Sequence, residues 1–169
     1  MYRVGTGYDL HRLAEKEDLI LGGVKIDHYL GLKGHSDADV LVHALIDAML
    51  GAAALGDIGL HFPPGDQRYR GISSLELLKK TGDLLSRENW QFVNADIVVI
   101  AEKPRLAPYR ENMRNNIAEA LGVSPGRISV KATTTEGLGI CGREEGIAAQ
   151  AVVLIEKSAH PGPAGQEAI

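Results

Sequence analysis

Residues 40–55 read VLVHALIDAMLGAAAL, a run that is apolar on nearly every side when wound as a helix. A helix without a polar face must be covered all round by the rest of its chain. Layers are therefore needed on more than one side of a central helix. A chain of 169 residues has material for one such domain. Only His43 and Asp47 interrupt the run, and polar groups in such a segment need partners. Both are thus candidates for chemistry as well as for structure.

The rest of the chain supplies the layers. Residues 2–11 alternate, with Val4, Thr6, Tyr8 and Leu10 on one face and Arg3, Gly5, Gly7, Asp9 and His11 on the other. That is the period of a strand, with two glycines where something packs close to the backbone. Residues 19–26 predict a hairpin turning at Gly22-Gly23. Ser36-Asp37-Ala38-Asp39 has the S-x-x-D form of a capping pattern ahead of the apolar run. Residues 57–71 are rich in glycine and proline and read as a long loop. Ser73 and Glu76 make a second capping box. In the helix after it, Leu75, Leu78 and Leu85 form the inner stripe, with Leu77, Thr81 and Leu84 beside them. Residues 92–101 predict a strand. Pro108 opens a third helix, with Met113, Ile117 and Leu121 inward and Gly122 as its stop. Residues 128–133 and 147–155 are two further strands. The expected fold is one α/β sandwich domain over residues 1–157, a mixed β-sheet packed on helices with a βαβ-like second half. A Pro/Gly-rich tail, 158–169, is expected to be disordered.

Bulk properties narrow the function. The formal net charge of −4 argues against a broad nucleic-acid surface. No apolar run approaches the ~20 residues of a membrane span. The N-terminus enters patterned sequence without a signal or transit segment, so a cytoplasmic location is expected. The single cysteine, Cys141, excludes an intrachain disulfide framework and a Cys-rich zinc cluster.

Asp9 and His11, two apart on one strand, leave the same face. With His43 they make a carboxylate and two imidazoles, and three protein ligands with an open fourth position is the pattern of catalytic zinc. Spacing alone does not bring His43 to the strand. An Asp-x-His pair also suits an exposed polar face, and a lone helical His also suits a hydrogen-bonded core site. Asp47, one turn beyond His43, is either a partner for its ring or a capping or solvent contact. His35-Ser36 precedes the buried helix, whose N–H groups favour an anion; a plain surface loop is the alternative. Lys131-Ala132-Thr133-Thr134-Thr135-Glu136 offers hydroxyls, amides and a carboxylate suited to phosphate and Mg²⁺. Arg143 either binds phosphate or pairs with a glutamate, and the residues alone favour the pair.

Taken together, five segments resemble the cyclodiphosphate synthase family: Gly7-Tyr8-Asp9-Leu10-His11, His35-Ser36-Asp37-Ala38-Asp39, His43-Ala44-Leu45 running on to Gly51 through Gly59, Val130 through Glu136, and Gly142-Arg143-Glu144-Glu145-Gly146-Ile147-Ala148. They stand in family order and cover the chain to about Lys157. The resemblance implies a lyase of the non-mevalonate isoprenoid pathway. It would cyclise 4-diphosphocytidyl-2-C-methyl-D-erythritol 2-phosphate by attack of the 2-phosphate on the β-phosphate, with CMP leaving. It implies zinc on Asp9, His11 and His43, and Mg²⁺ or Mn²⁺ on Glu136. His35 and Thr134 would stabilise charge at the reacting phosphorus. Asp57, Ile58 and Gly59 would hold the erythritol portion. Ala101 to Ala107, Arg105 and Leu106 among them, with Ala132 to Thr134, would shape a cytidine pocket. Leu10, Ser36, Phe62, Asp66, Thr135, Ile140 and Arg143 complete the implied substrate contacts. The family is a homotrimer with sites between subunits. Ala38 replaces the usual glycine, with little effect expected. Pro64 stands where many members carry an aspartate and is given no role. Ile140 replaces a common aromatic near the trimer axis. A zinc phosphodiesterase or phosphatase on the same ligands, or a trimeric ligand-sensing module, are the competing readings.

Overall fold

The computed structural model describes residues 1–158. In chain order it contains β1 (Tyr2–Ala14), β2 (Leu19–Leu21), β3 (Val24–Ile26), β4 (Gly31–Leu32), α1 (Val40–Ala53), α2 (Ile58–His61), α3 (Ser74–Arg87), β5 (Trp90–Ile100), α4 (Arg110–Leu121), β6 (Ile128–Thr133), α5 (Gly139–Gly142) and β7 (Gly146–Lys157). The sheet runs β4-β1-β7-β5-β6, and β2 pairs with β3 in a separate hairpin. Strands β5 and β6 are parallel and joined through α4, the expected βαβ unit, while β7 is antiparallel to both β1 and β5. The sheet is therefore mixed, and the fold is the expected helix-on-sheet sandwich. Apart from Ser158, the expected disordered tail lies outside the described residues.

Helix α1 is the centre. It packs on β1 and β7, and α3 packs on α1. From Val40 to Leu50 all of its residues except His43 and Asp47 are fully buried. It can approach the sheet so closely because β1 carries Gly5 and Gly7 on the facing side. A Cβ at Gly5 would lie 2.0 Å from the Ala48 carbonyl oxygen, and one at Gly7 would lie 2.0 Å from that of Ala44. Ala44, Ala48 and Ala52 recur every four residues, so small residues of the helix meet glycines of the strand.

Two expectations about the helix starts need correction. Asp39, not Ser36, caps α1, accepting from the Val42 N–H at 3.1 Å and from the Gly23 N–H at 2.7 Å. Burial pushes its carboxyl up to about 6, against those hydrogen bonds. The Asp39 carboxylate thus occupies the N-terminus of α1 itself. Ser36 instead accepts from the Ala38 N–H. In α3, capped by Ser73, the buried side chains are Ser74, Leu77, Leu78, Thr81 and Leu85. The inner stripe is thus rotated by about one residue, leaving Leu75 and Leu84 half-buried. The predicted long loop also carries order. Asp57 caps α2 through the Leu60 N–H, and Asp66 caps a 3-10 turn at Gln67–Tyr69 through the Arg68 N–H.

Helices cover one face of the sheet. The other is largely bare: Tyr2, Val4, Tyr8 and Val152 are 65, 67, 60 and 44 % exposed, and exposed Asp96, Gln150 and Lys131 share that face.

Candidate metal centre and substrate cavities

The close seating of α1 on β1 brings His43 to Asp9 and His11. His11 Nε2 lies 2.8 Å from Asp9 Oδ2, and His43 Nδ1 lies 3.1 Å from the same oxygen and 3.3 Å from His11 Nε2. One donor atom from each residue falls within 4.8 Å of the others. Their side chains are 26, 15 and 12 % exposed. Burial works against ionising Asp9, but the neighbouring His11 and His43 outweigh it and hold the carboxyl well below the usual carboxylate range. Without a cation both rings can donate to the one Asp9 oxygen, and a divalent ion in place of those protons would take a lone pair from each of the three residues. A set of two nitrogens and one oxygen suits zinc or a similar divalent ion. The three residues therefore fit a metal ion.

They form part of a cavity of about 290 Å³ that is also lined by His35, Ser36, Asp47, Ile58, Gly59, Phe62, Pro64, Tyr69 and Leu77. Asp47 does not orient the His43 ring. Its Oδ1 accepts from the Ile58 N–H at 2.7 Å and so fixes the start of α2 against α1. Burial raises its carboxyl pKa, against that hydrogen bond. The partner of His43 Nε2 is Ser74 Oγ at 2.9 Å, with Ser36 Oγ at 3.1 Å.

A second cavity, about 340 Å³, is lined by Ala101, Glu102, Pro104, Arg105, Leu106, Ala107, Ala132, Thr133 and Thr134. The loop after β6 is anchored by Glu102. Its Oε1 accepts from Thr135 N at 2.9 Å, from Thr135 Oγ1 at 3.2 Å and from Gly137 N at 3.3 Å. Thr135 is thus committed to holding the loop, while Thr134 Oγ1 donates to Glu136 Oε1 at 2.9 Å. Glu136 itself is exposed, an open carboxylate compatible with weak binding of a hard divalent ion.

The two cavities share no residue. Asp9, Ala149, Val99 and Ala132 form one row across β1, β7, β5 and β6. At one strand spacing per step, the ends of that row stand roughly 14 Å apart. Both cavities thus open at the same end of the sheet, separated by two strands.

A family model described as the YgbB family matches residues 2–156. The chain belongs to the YgbB family. It is 59% identical over 156 residues to the 2-C-methyl-D-erythritol 2,4-cyclodiphosphate synthase of Syntrophomonas wolfei subsp. wolfei, spanning 92% of this chain and 99% of that one. The structure of IspF from Plasmodium falciparum in complex with CDP matches 93% of this chain and 97% of its own, at 35% identity and a TM-score of 0.81. The bifunctional IspDF from Campylobacter jejuni matches at 44% identity with a TM-score of 0.89 over 93% of this chain, which spans 42% of that one. This YgbB family member is accordingly an enzyme. No helix among the described residues is long and apolar enough to cross a membrane.

Other residues expected to contact substrate have positions and partners of their own within the chain. The Leu10 side chain is on the opposite sheet face from Asp9 and His11, where with Ile140, Tyr8 and Thr135 it lines a hollow on the bare side. Strand alternation forces this. Arg143 pairs with Glu145 at 2.7 Å, the option its neighbours favoured. Asp66 is engaged by Arg68, and the Asp57 carboxylate by its own helix start. The sequence left Tyr69, Leu77 and Ser74 unassigned to any site, while Glu102 and Pro104 fall within the stretch 101–107 expected to shape a cytidine pocket. Tyr69 and Leu77 read as loop and core; Ser74 looked like any first residue of a helix.

Proposed function

We propose that this chain is a metal-dependent phosphorus–oxygen lyase that converts 4-diphosphocytidyl-2-C-methyl-D-erythritol 2-phosphate into 2-C-methyl-D-erythritol 2,4-cyclodiphosphate and CMP, in non-mevalonate isoprenoid biosynthesis. The observation that carries this is the convergence of Asp9, His11 and His43 in a cavity that also holds His35, in a chain 59% identical to an enzyme of that name. Zinc on those three residues would polarise a phosphate oxygen, and Mg²⁺ or Mn²⁺ on Glu136 would neutralise diphosphate charge. The 2-phosphate oxygen bonds to the β-phosphorus as the bond to CMP breaks, and no water is consumed.

The protein's task is then positioning and charge stabilisation. His35, exposed on the cavity wall, can donate an N–H to a phosphate oxygen. Ile58 and Gly59 shape the space for the erythritol chain, and Phe62, Tyr69 and Leu77 keep water away from it. In the second cavity, Ala101, Ala107 and Ala132 leave room for a flat base, and the Thr134 hydroxyl stands at the rim for the diphosphate.

The test is release of CMP from the proposed substrate, abolished by chelator and restored by zinc. Run in ¹⁸O-water, the reaction leaves both products unlabelled; label in a phosphate would instead identify a hydrolase. Glu136→Gln should raise the Mg²⁺ concentration needed for half-maximal activity and lower turnover, with zinc content unchanged. Unaltered turnover and metal dependence would remove Glu136 from the site.

The bare sheet face, with its exposed Tyr2, Val4 and Tyr8, and the two separated half-sites support a homotrimer in which the zinc half of one chain faces the cytidine half of the next. Such a ring places different patches of identical chains face to face. His43→Ala and Glu136→Ala should each be inactive alone. Refolded together they should recover roughly a quarter of wild-type activity, the share of interfaces with both halves intact. No recovery from proven mixed trimers would rule the shared site out. A cytoplasmic location fits a single-cysteine enzyme acting on a nucleotide-linked metabolite.

A further inference from the structure

We propose that Asp37 and Ser74 fix the ring of His43 in the one proton arrangement that leaves Nδ1 free to bind a metal ion, making both of them positioning residues of the metal centre. This rests on the metal reading of Asp9, His11 and His43.

The geometry starts from Asp37. Its Oδ2 accepts the Ser74 backbone N–H at 2.9 Å, and its Oδ1 accepts the Ser74 hydroxyl. The segment around it is stitched to the start of α3 by two more bonds, Asp37 N to Ile72 O at 3.1 Å and Gly71 N to His35 O at 2.9 Å. Ser74 is completely buried, so no solvent competes for its hydroxyl. A carboxylate can only accept, and a serine hydroxyl has one proton. That proton is therefore committed to Asp37, and towards His43 the Ser74 oxygen can only accept.

His43 Nε2 stands 2.9 Å from that oxygen, so Nε2 must carry the ring proton. In the neutral ring Nδ1 is then the nitrogen with the lone pair, and a metal ion would take the place of the proton it otherwise shares with Asp9, beside His11. Ser36 Oγ, 3.1 Å from the same Nε2, has no carboxylate fixing its proton. On its own it could donate to Nε2 as readily as accept, and donation would put the ring proton on Nδ1 and block the metal position. Asp37 thus makes Ser74 a one-way acceptor. The other histidine has no such device: among the described residues, His11 Nδ1 is buried without a hydrogen-bond partner. Orientation of the imidazole ligands falls on the Asp37–Ser74–His43 line, and outer partners of this kind commonly govern 10- to 100-fold in metal affinity.

Two substitutions separate this from a merely structural contact. Ser74→Ala removes the acceptor and leaves Ser36 free to act either way. Asp37→Asn is isosteric. Its one oxygen goes to the Ser74 N–H, so its NH₂ meets the hydroxyl oxygen. The freed serine proton can then turn towards His43 Nε2 and favour the wrong ring form. Zinc affinity, measured by competition with a chromophoric chelator, should fall roughly 10- to 100-fold in Ser74→Ala and further in Asp37→Asn, while Ser74→Thr should stay within a few-fold of wild type. In the zinc-loaded protein the His43 Nε2–H should give a slowly exchanging NMR signal that is lost in Ser74→Ala. A wild-type protein that binds no zinc would overturn both the metal centre and the relay. Zinc binding by the wild type with equal affinity in Ser74→Ala and Asp37→Asn, and an equally protected Nε2–H, would overturn the relay alone.

Discussion

His11→Ala should strip the protein of zinc on dialysis and lower CMP release by roughly 10³-fold or more. The reason is that, among the described residues, three donor atoms converge, and His11 Nε2 is one corner of their triangle, 2.8 Å from Asp9 Oδ2 and 3.3 Å from His43 Nδ1. Removing it leaves one carboxylate and one imidazole, and two ligands do not hold zinc against dilution. The remaining pair is not idle: His43 and Asp9, 3.1 Å apart, can close on each other, so the fold should survive and the loss should appear in metal content rather than in stability. His28→Ala is the matched control, since His28 lies tilted against Tyr29 and lines no part of the metal cavity. It should retain zinc and activity. Metal analysis of the dialysed proteins beside the CMP assay decides the matter, and full zinc occupancy in His11→Ala would remove that residue from the centre.

Gly7→Ala should destabilise the fold by about 4 kcal/mol or more, a large share of the 5–15 kcal/mol typical of a domain. The added Cβ would sit 2.0 Å from the Ala44 carbonyl oxygen and 2.7 Å from the Ala48 nitrogen. Both are backbone atoms of α1, which cannot swing aside as the tip of a side chain can. The helix must lift from the strand and open the packing along its buried length. His43, the neighbour of Ala44, would move with it, so zinc affinity should fall in parallel with stability. Gly51→Ala is the internal contrast. A Cβ there meets nothing closer than 4.0 Å, and replacing a helical glycine by alanine should gain up to about 1 kcal/mol. Urea unfolding of the two variants reads out the difference, and a Gly7→Ala protein within 1 kcal/mol of wild type would show that the close approach is not obligatory.

Much of the fold is legible in the residues because it depends on local pattern. The alternation of residues 2–11 fixes both the strand and the sidedness of Gly5, Gly7, Asp9 and His11. The Gly22-Gly23 hairpin, Gly122 as the end of α4 and β6 over Ile128–Thr133 appear where the sequence places them. The errors fall where two local signals compete. Ser36 and Asp39 are both capping residues, and Asp39 wins because its carboxylate also reaches Gly23 of the hairpin, a contact from sixteen residues away. The α3 stripe shifts by a residue because Ser74 and Leu77 are buried against neighbours that no helical period reveals.

The sequence by itself determined that a helix with no polar face must be enclosed, that β1 must leave room for close contact at two glycines, and that one face of that strand carries a carboxylate and an imidazole. Those follow from side-chain volume and strand periodicity, which are local. Only the tertiary structure decided that the object filling the glycine groove is α1 itself, in the rotation that sets His43 over Asp9 and His11. It also decided that Asp47 serves the Ile58 amide while Ser74, thirty-one residues from His43, serves its ring. Which polar groups meet depends on the helix rotation that best buries its apolar faces, and that choice belongs to the packed whole rather than to any segment of it.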